Sequence, residues 1–260
     1  MIMNTTAIVN HEIHERHEIG SRFSNPWKDW VSLSCISCFS WFLLLPFATG
    51  CDAADDVRQP AVAGAFYPAQ PDKLSAMIDE FLAKADPPPV AGEVRAVVVP
   101  HAGYIYSAPV AAYAFKAIAG KPFKTVVLIG NSHREGYDGA SVYSHGKFRT
   151  PLGDVEIDAE LADRLIAANP KILGRESPHI AEHSLEVEVP FLQKTLGTFK
   201  LVPILLGTES REAADILGDA LAENAGPDVL VMASTDMSHY PPYDYANFAD
   251  RKVADAIAAG

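Results

Sequence analysis

Four apolar runs dominate what this chain can fold into: "VRAVVV" (94–99), "TVVLIG" (125–130), "KLVPILLG" (200–207) and "DVLVMAS" (228–234). None of them alternates apolar with polar positions. A strand with one wet face alternates, whereas a continuously apolar strand must be covered on both faces. The segments between the runs have helical spacing. In "SAMIDEFLAKA" (75–85), Met77, Ile78, Phe81 and Leu82 share one helix face. Residues 108–120, stopped by Gly120, together with 158–169 and 210–226, read the same way. The predicted fold class is therefore α/β, a largely parallel or mixed central sheet with helices on both faces. "EHSLEVEVPFLQKTLG" (182–197) fits a strand and a helix equally well, and Pro190 would strain a helix interior there. In either reading Glu186 and Glu188 are expected on a solvated face.

The 260 residues, 48% of them hydrophobic, suffice for a large core in one domain or at most two. A formal net charge of -12 with no dense Lys/Arg run excludes nucleic acid as a partner, because neutralising phosphates needs a basic face. All three cysteines, Cys35, Cys38 and Cys51, lie in the first 51 residues, so the body has no thiolate chemistry of its own. "WVSLSCISCFSWFLLLPFATGC" runs from Trp30 to Cys51 without a charge, and its small-residue end fits an export signal. "ATGC" is similar to a lipoprotein box, which would make Cys51 a membrane tether. The competing reading is a start codon placed too far upstream, with the protein cytoplasmic. The expected organisation is an N-terminal extension over residues 1–56 and an α/β domain over 57–260. The final "RKVADAIAAG" (251–260) reads as a helix with more chain to follow, so a truncated C-terminus is expected.

Three predicted strands end within a few residues of a histidine: His101 after 94–99, His133 after 125–130 and His239 after 228–234. Ligand sites in open α/β sheets form at the carboxyl ends of parallel strands, and one helical crossover puts His101 and His133 on the same rim. Two neutral imidazoles make half of a metal site, and two histidines with a carboxylate describe the open triad of non-haem Fe(II) enzymes. Asp236 and Glu182 are the carboxylate candidates, and His239 or His183 the candidate general base. Tyr104, Tyr106 and Tyr240, with Ser132 on the His133 loop, are candidate substrate contacts. His145 and His179 read as hydrogen-bonded turn residues.

Four stretches, "RQPAVAGAFYP" (58–68), "VVVPHAGYIYS" (97–107), "LIGNSHREG" (128–136) and "EHSLEVEVPFLQ" (182–193), with "STDMSHY" (234–240), resemble the Memo family, called AmmeMemoRadiSam system protein B in bacteria. The resemblance covers essentially all of residues 57–260. It implies a fold similar to class III extradiol dioxygenases, with 182–193 helical. His101 and His133 would then bind Fe(II) or Cu, and His239 would stand near the dioxygenase base. Asp236 and His183 would line the same cleft. It further implies redox chemistry on an unknown small molecule, or recognition of a peptide, since animal members are linked to phosphotyrosine-peptide signalling. Three functions follow: a metal-binding redox enzyme, an extradiol ring-cleaving dioxygenase, or a non-catalytic module for a peptide or small anion. The family's third metal ligand is a cysteine nearer the carboxyl terminus, and this sequence has no cysteine after Cys51.

Overall fold

The computed structural model describes residues 56–259. The apolar run 30–51, Cys51 and the expected export signal lie outside the described residues.

The four apolar runs form strands β2 (Ala96–Val99), β3 (Thr125–Asn131), β8 (Lys200–Leu206) and β9 (Val229–Ser234). They are mutually parallel neighbours in a six-stranded sheet of order β2-β9-β3-β8-β4-β7. The short β4 (Ala140–Val142) pairs antiparallel with β8, and β7 (Ile172–Gly174) runs parallel to β4. The sheet is thus mixed at one side. β1 (Val57–Arg58), β5 (Lys147–Thr150) and β6 (Gly153–Glu156) make a separate three-stranded sheet.

The side chains explain why the runs lack alternation. Val126 and Leu128 of β3 face one core cluster, with α1 (Pro71–Lys84), α2 (Tyr104–Ile118) and α5 (Val189–Leu196). Val127 of the same strand faces the other, with α3 (Ala159–Ala168) and α6 (Arg211–Asn224). β8 and β9 divide in the same way: Leu201 and Leu230 go to the first cluster, Val202 and Val229 to the second. Each fully buried side chain such as Leu74, Ile78 or Phe115 contributes roughly 1.5–3 kcal/mol. The remaining helices are the short α4 (Ser177–Ile180) and α7 (Tyr243–Ala259).

Two expectations are corrected and one open reading is decided. Helix α2 begins at Tyr104, four residues ahead of the expected start, because Tyr104 packs into the core and its N–H donates to Phe66 O at 2.9 Å. The open 182–197 stretch is helical from Glu186, as the resemblance implied: a 3-10 turn over Glu186–Glu188 runs into α5, with Glu182–Leu185 ahead of it outside the helix. Pro190 sits in the first turn of α5, where its missing N–H has no intrahelical partner to lose. Glu186 and Glu188 are buried rather than solvated, at 0% and 1% exposure. Glu186 is held by an ion pair with Arg58, by N–H groups of Ala61 and Val62 and by the Tyr67 hydroxyl.

Candidate metal centre

Because β2, β9 and β3 are parallel neighbours, the segments that leave them emerge at one edge of the sheet. His101 follows β2, His133 follows β3 and Asp236 follows β9. A fourth segment, Glu182–Ser184, is laid against this edge from the side. Gly130 of β3 makes that approach feasible, since a Cβ there would lie 2.9 Å from both Leu185 Cδ2 and Ser184 Oγ. The result brings three imidazoles together. Ring centroids of His101 and His133 are 5.3 Å apart, those of His101 and His183 5.6 Å, and those of His133 and His183 4.4 Å. One nitrogen from each ring lies within 4.8 Å of the others.

The proton on each ring follows from its partner. Glu182 is buried, and Nδ1 of His133 and of His183 lie 2.9 and 3.2 Å from its Oε1. Burial alone would raise the Glu182 pKa. Hydrogen bonds from His133, His183 and the N–H groups of His133 and Ser184 outweigh burial and hold the carboxyl well below the usual range. An ionised carboxylate only accepts, so both Nδ1 atoms carry protons, and Nε2 is the nitrogen of each ring left to face a ligand.

His101 reaches the same state through a hydroxyl. Ser234 Oγ lies 2.6 Å from Ser184 O, 3.0 Å from His101 Nδ1 and 3.0 Å from Glu188 Oε1. A carbonyl cannot donate, so the single hydroxyl proton points at Ser184 O. Ser234 Oγ then accepts from His101 Nδ1–H and from a protonated Glu188. That assignment agrees with burial, which pushes the Glu188 carboxyl well above its ordinary pKa. His101 is itself buried, and desolvation lowers its pKa to about 4; Asp236 works against this, while His133 and His183 add to it. It is neutral at pH 7, the form that binds metals.

Asp236 lines the site. Its Oδ1 accepts from the His101 N–H at 2.7 Å, and its Oδ2 lies 3.9 Å from His101 Nε2 and 3.5 Å from His239 Nε2. His239 is more exposed, at the mouth. Phe66 forms an apolar wall, its ring centroid 4.9 Å from that of His183. Two buried contacts support the Glu182–His183 segment from behind. Arg58 Nη2 donates to Glu182 O at 2.5 Å and Arg58 Nε donates to His179 O at 3.0 Å.

Of the residues expected at a site, His101, His133, His183, Asp236 and His239 come together. Of the tyrosines, only Tyr240 is beside them, its ring centroid 6.3 Å from that of His239. Tyr104 is buried with its hydroxyl donating to Val187 O at 2.8 Å, so it is a core residue and not a substrate contact. Tyr106 and Tyr240 are surface side chains. Ser132 Oγ accepts from the Glu135 N–H at 3.1 Å, closing the loop after β3. Glu182 has its oxygens committed to N–H donors, so it supports the imidazoles instead of competing as a ligand. His179 is hydrogen-bonded as expected, its Nε2 3.2 Å from Ser141 O, but it is buried in α4 rather than held in a turn. Phe66 and Ser234 gave no sequence signal of their own, since aromatic and serine residues are ordinary in a core or strand end.

The donor set suits a transition metal: three imidazoles, each with its Nδ1 hydrogen-bonded, two to the Glu182 carboxylate and one to the Ser234 hydroxyl, as the outer nitrogens of metal-ligating histidines commonly are.

Residues 58–260 match the model of the Memo-like protein family. A MEMO1 family protein of Methanothermobacter thermautotrophicus is 40% identical over 213 residues, covering 78% of this chain and 77% of the relative. One of Methanopyrus kandleri is 40% identical over 215 residues, covering 78% and 76%. A third, of Thermoplasma acidophilum, is 37% identical over 203 residues, covering 78% and 74%. With the family pattern matched from Arg58 to Gly260 and relatives at this identity over most of both chains, the chain belongs to the Memo family.

Proposed function

We propose that this protein binds one transition-metal ion, Fe(II) or Cu, through His101, His133 and His183, and acts as a redox enzyme on a small molecule. The observation that carries the reading is the shared Glu182 carboxylate, which sets the tautomer of His133 and His183 together. When bound, the metal would supply one-electron or O₂ chemistry. His183, expected from sequence as a general base, is better suited to ligation because its Nδ1 is committed to Glu182. His239 is then the candidate proton acceptor, oriented by Asp236 Oδ2 at 3.5 Å. Phe66 supplies the apolar wall against which a planar substrate would lie.

Elemental analysis of protein produced with Fe or Cu supplied tests this. One histidine-dependent equivalent is expected in the wild type and is absent from His101→Ala, His133→Ala and His183→Ala variants that remain folded by circular dichroism. A folded wild type without that equivalent overturns the reading. Full retention in His183→Ala would return His183 to a role as base. The ring-cleaving alternative requires O₂-dependent turnover of a catechol, lost in His239→Ala.

A further inference from the structure

A second set of donor atoms is built from none of the residues above and does not depend on that reading. Asp56 precedes β1, His145 lies in the turn between β4 and β5, and Glu176 precedes α4. His145 Nε2 is 3.3 Å from Asp56 Oδ2 and 3.0 Å from Glu176 Oε1, and one donor atom from each residue lies within 4.8 Å of the others.

The backbone holds this arrangement. Lys147 N–H donates to Asp56 O at 2.8 Å. Gly146, at φ +81, is needed for the approach, since a Cβ there would lie 2.1 Å from Asp56 O. The other oxygen of Asp56 accepts from the Tyr143 hydroxyl at 3.3 Å. His145 Nδ1 is 2.9 Å from Ser144 Oγ, a partner that can accept its proton and leave Nε2 as the free donor. A single Nε2–H could not point at both carboxylates in line. A divalent ion in its place would take one nitrogen and two carboxylate oxygens at once, and its charge would balance theirs.

We infer that Asp56, His145 and Glu176 form a second, solvent-facing site for a divalent transition-metal ion of the Zn²⁺ type, whose occupancy ties the start of β1 to the β4–β5 turn and to α4. Imidazole nitrogen and carboxylate oxygen are both Zn²⁺ ligands, and three protein ligands leave a fourth position for solvent.

The test is calorimetric titration of the full chain with Zn²⁺, in the wild type, in His101→Ala/His133→Ala and in His145→Ala. The doubly substituted protein is expected to retain one Zn²⁺ equivalent and a Zn²⁺-dependent rise in melting temperature. Adding His145→Ala, or Asp56→Asn with Glu176→Gln, should weaken that binding at least tenfold and abolish the rise; all three positions are solvent-facing, so folding is expected to persist. Retention of the equivalent and of the thermal shift after His145→Ala overturns the inference, as does a doubly substituted protein that binds no Zn²⁺. Failure of the three-imidazole site alone would read differently: a single wild-type equivalent, lost with His145→Ala and untouched by His101→Ala.

Discussion

Replacing Glu182 by glutamine isolates what the buried carboxylate does. Its Oε1 faces four donors, His133 Nδ1 at 2.9 Å, His183 N at 2.8 Å, Ser184 N at 3.0 Å and His183 Nδ1 at 3.2 Å; Oε2 faces His133 N at 2.7 Å. Glutamine does best with its carbonyl at the Oε1 position, which then sets its amide hydrogens against the His133 N–H. One buried donor is left unmade, at about 1–3 kcal/mol, and the other bonds fall from the charge-assisted to the neutral range, about 1 kcal/mol each. The two imidazole bonds matter most, because they fix the tautomer and the basicity of Nε2. A loss of roughly 5–7 kcal/mol in stability by simple addition, and a fall of about 10–100-fold in metal affinity, are expected. Anaerobic equilibrium dialysis against Fe(II), alongside urea denaturation, reads both quantities. A folded Glu182→Gln variant whose Fe(II) affinity stays within about threefold of wild type would refute the idea that Glu182 orients the two imidazoles for the metal.

Three further outcomes are expected. Glu188→Gln should change stability by less than about 1 kcal/mol, because a neutral carboxyl donating to Ser234 Oγ is replaced by a neutral amide that donates equally well; chemical denaturation checks it, and a large loss would show that Glu188 is ionised. Arg58→Met should cost about 3–5 kcal/mol by leaving Glu186 buried without its cation, and should loosen metal binding by releasing Glu182 O; denaturation and dialysis read the two effects. Buried His179 has a pKa lowered by desolvation to about 3, so between the unfolded value near 6.5 and about 3 the unfolded chain binds the extra proton. This one group therefore withdraws stability as pH falls through that window, by about 1.4 kcal/mol per pH unit, and urea midpoints from pH 7 to 4 should decline less steeply in His179→Phe.

The sheet was legible in the sequence because its strands are covered on both faces. Val126, Val127 and Leu128 cannot all be apolar on a strand with a wet side, and the two clusters they enter lie on opposite faces. The carboxyl-edge histidines were legible for the same reason: parallel strands carry His101, His133 and Asp236 to one rim whatever the detail of the loops. The 182–197 stretch was not. Its apolar positions fit both periods, and a reading of Glu186 and Glu188 as surface residues assumes that carboxylates stay in water. Each violates that assumption through a partner distant in sequence, Arg58 for Glu186 and Ser234 for Glu188. No local pattern carries such pairings. The placement of Tyr104 failed for a related reason, since a tyrosine beside a candidate site and a tyrosine whose hydroxyl meets Val187 O look alike in one dimension.

The three buried glutamates of one short segment have different partners, and that difference organises the site. Glu186 pairs with Arg58, which fastens the segment to β1 and to the backbone at His179 and Glu182. Glu182 accepts from two imidazoles and three backbone N–H groups, so it turns those rings with their Nε2 atoms away from it and toward the site. Glu188 keeps its proton and lets Ser234 accept from His101. Burial of two carboxylate charges and one carboxyl is costly wherever a core could be apolar. Here each is satisfied by groups that either hold the segment in place or fix a histidine tautomer. A hydrophobic replacement of the same shape would fold at least as well by area alone, and would leave three imidazoles free to rotate. The polar core beneath the rim is therefore best understood as what positions the histidines, with the sheet supplying the edge on which they meet.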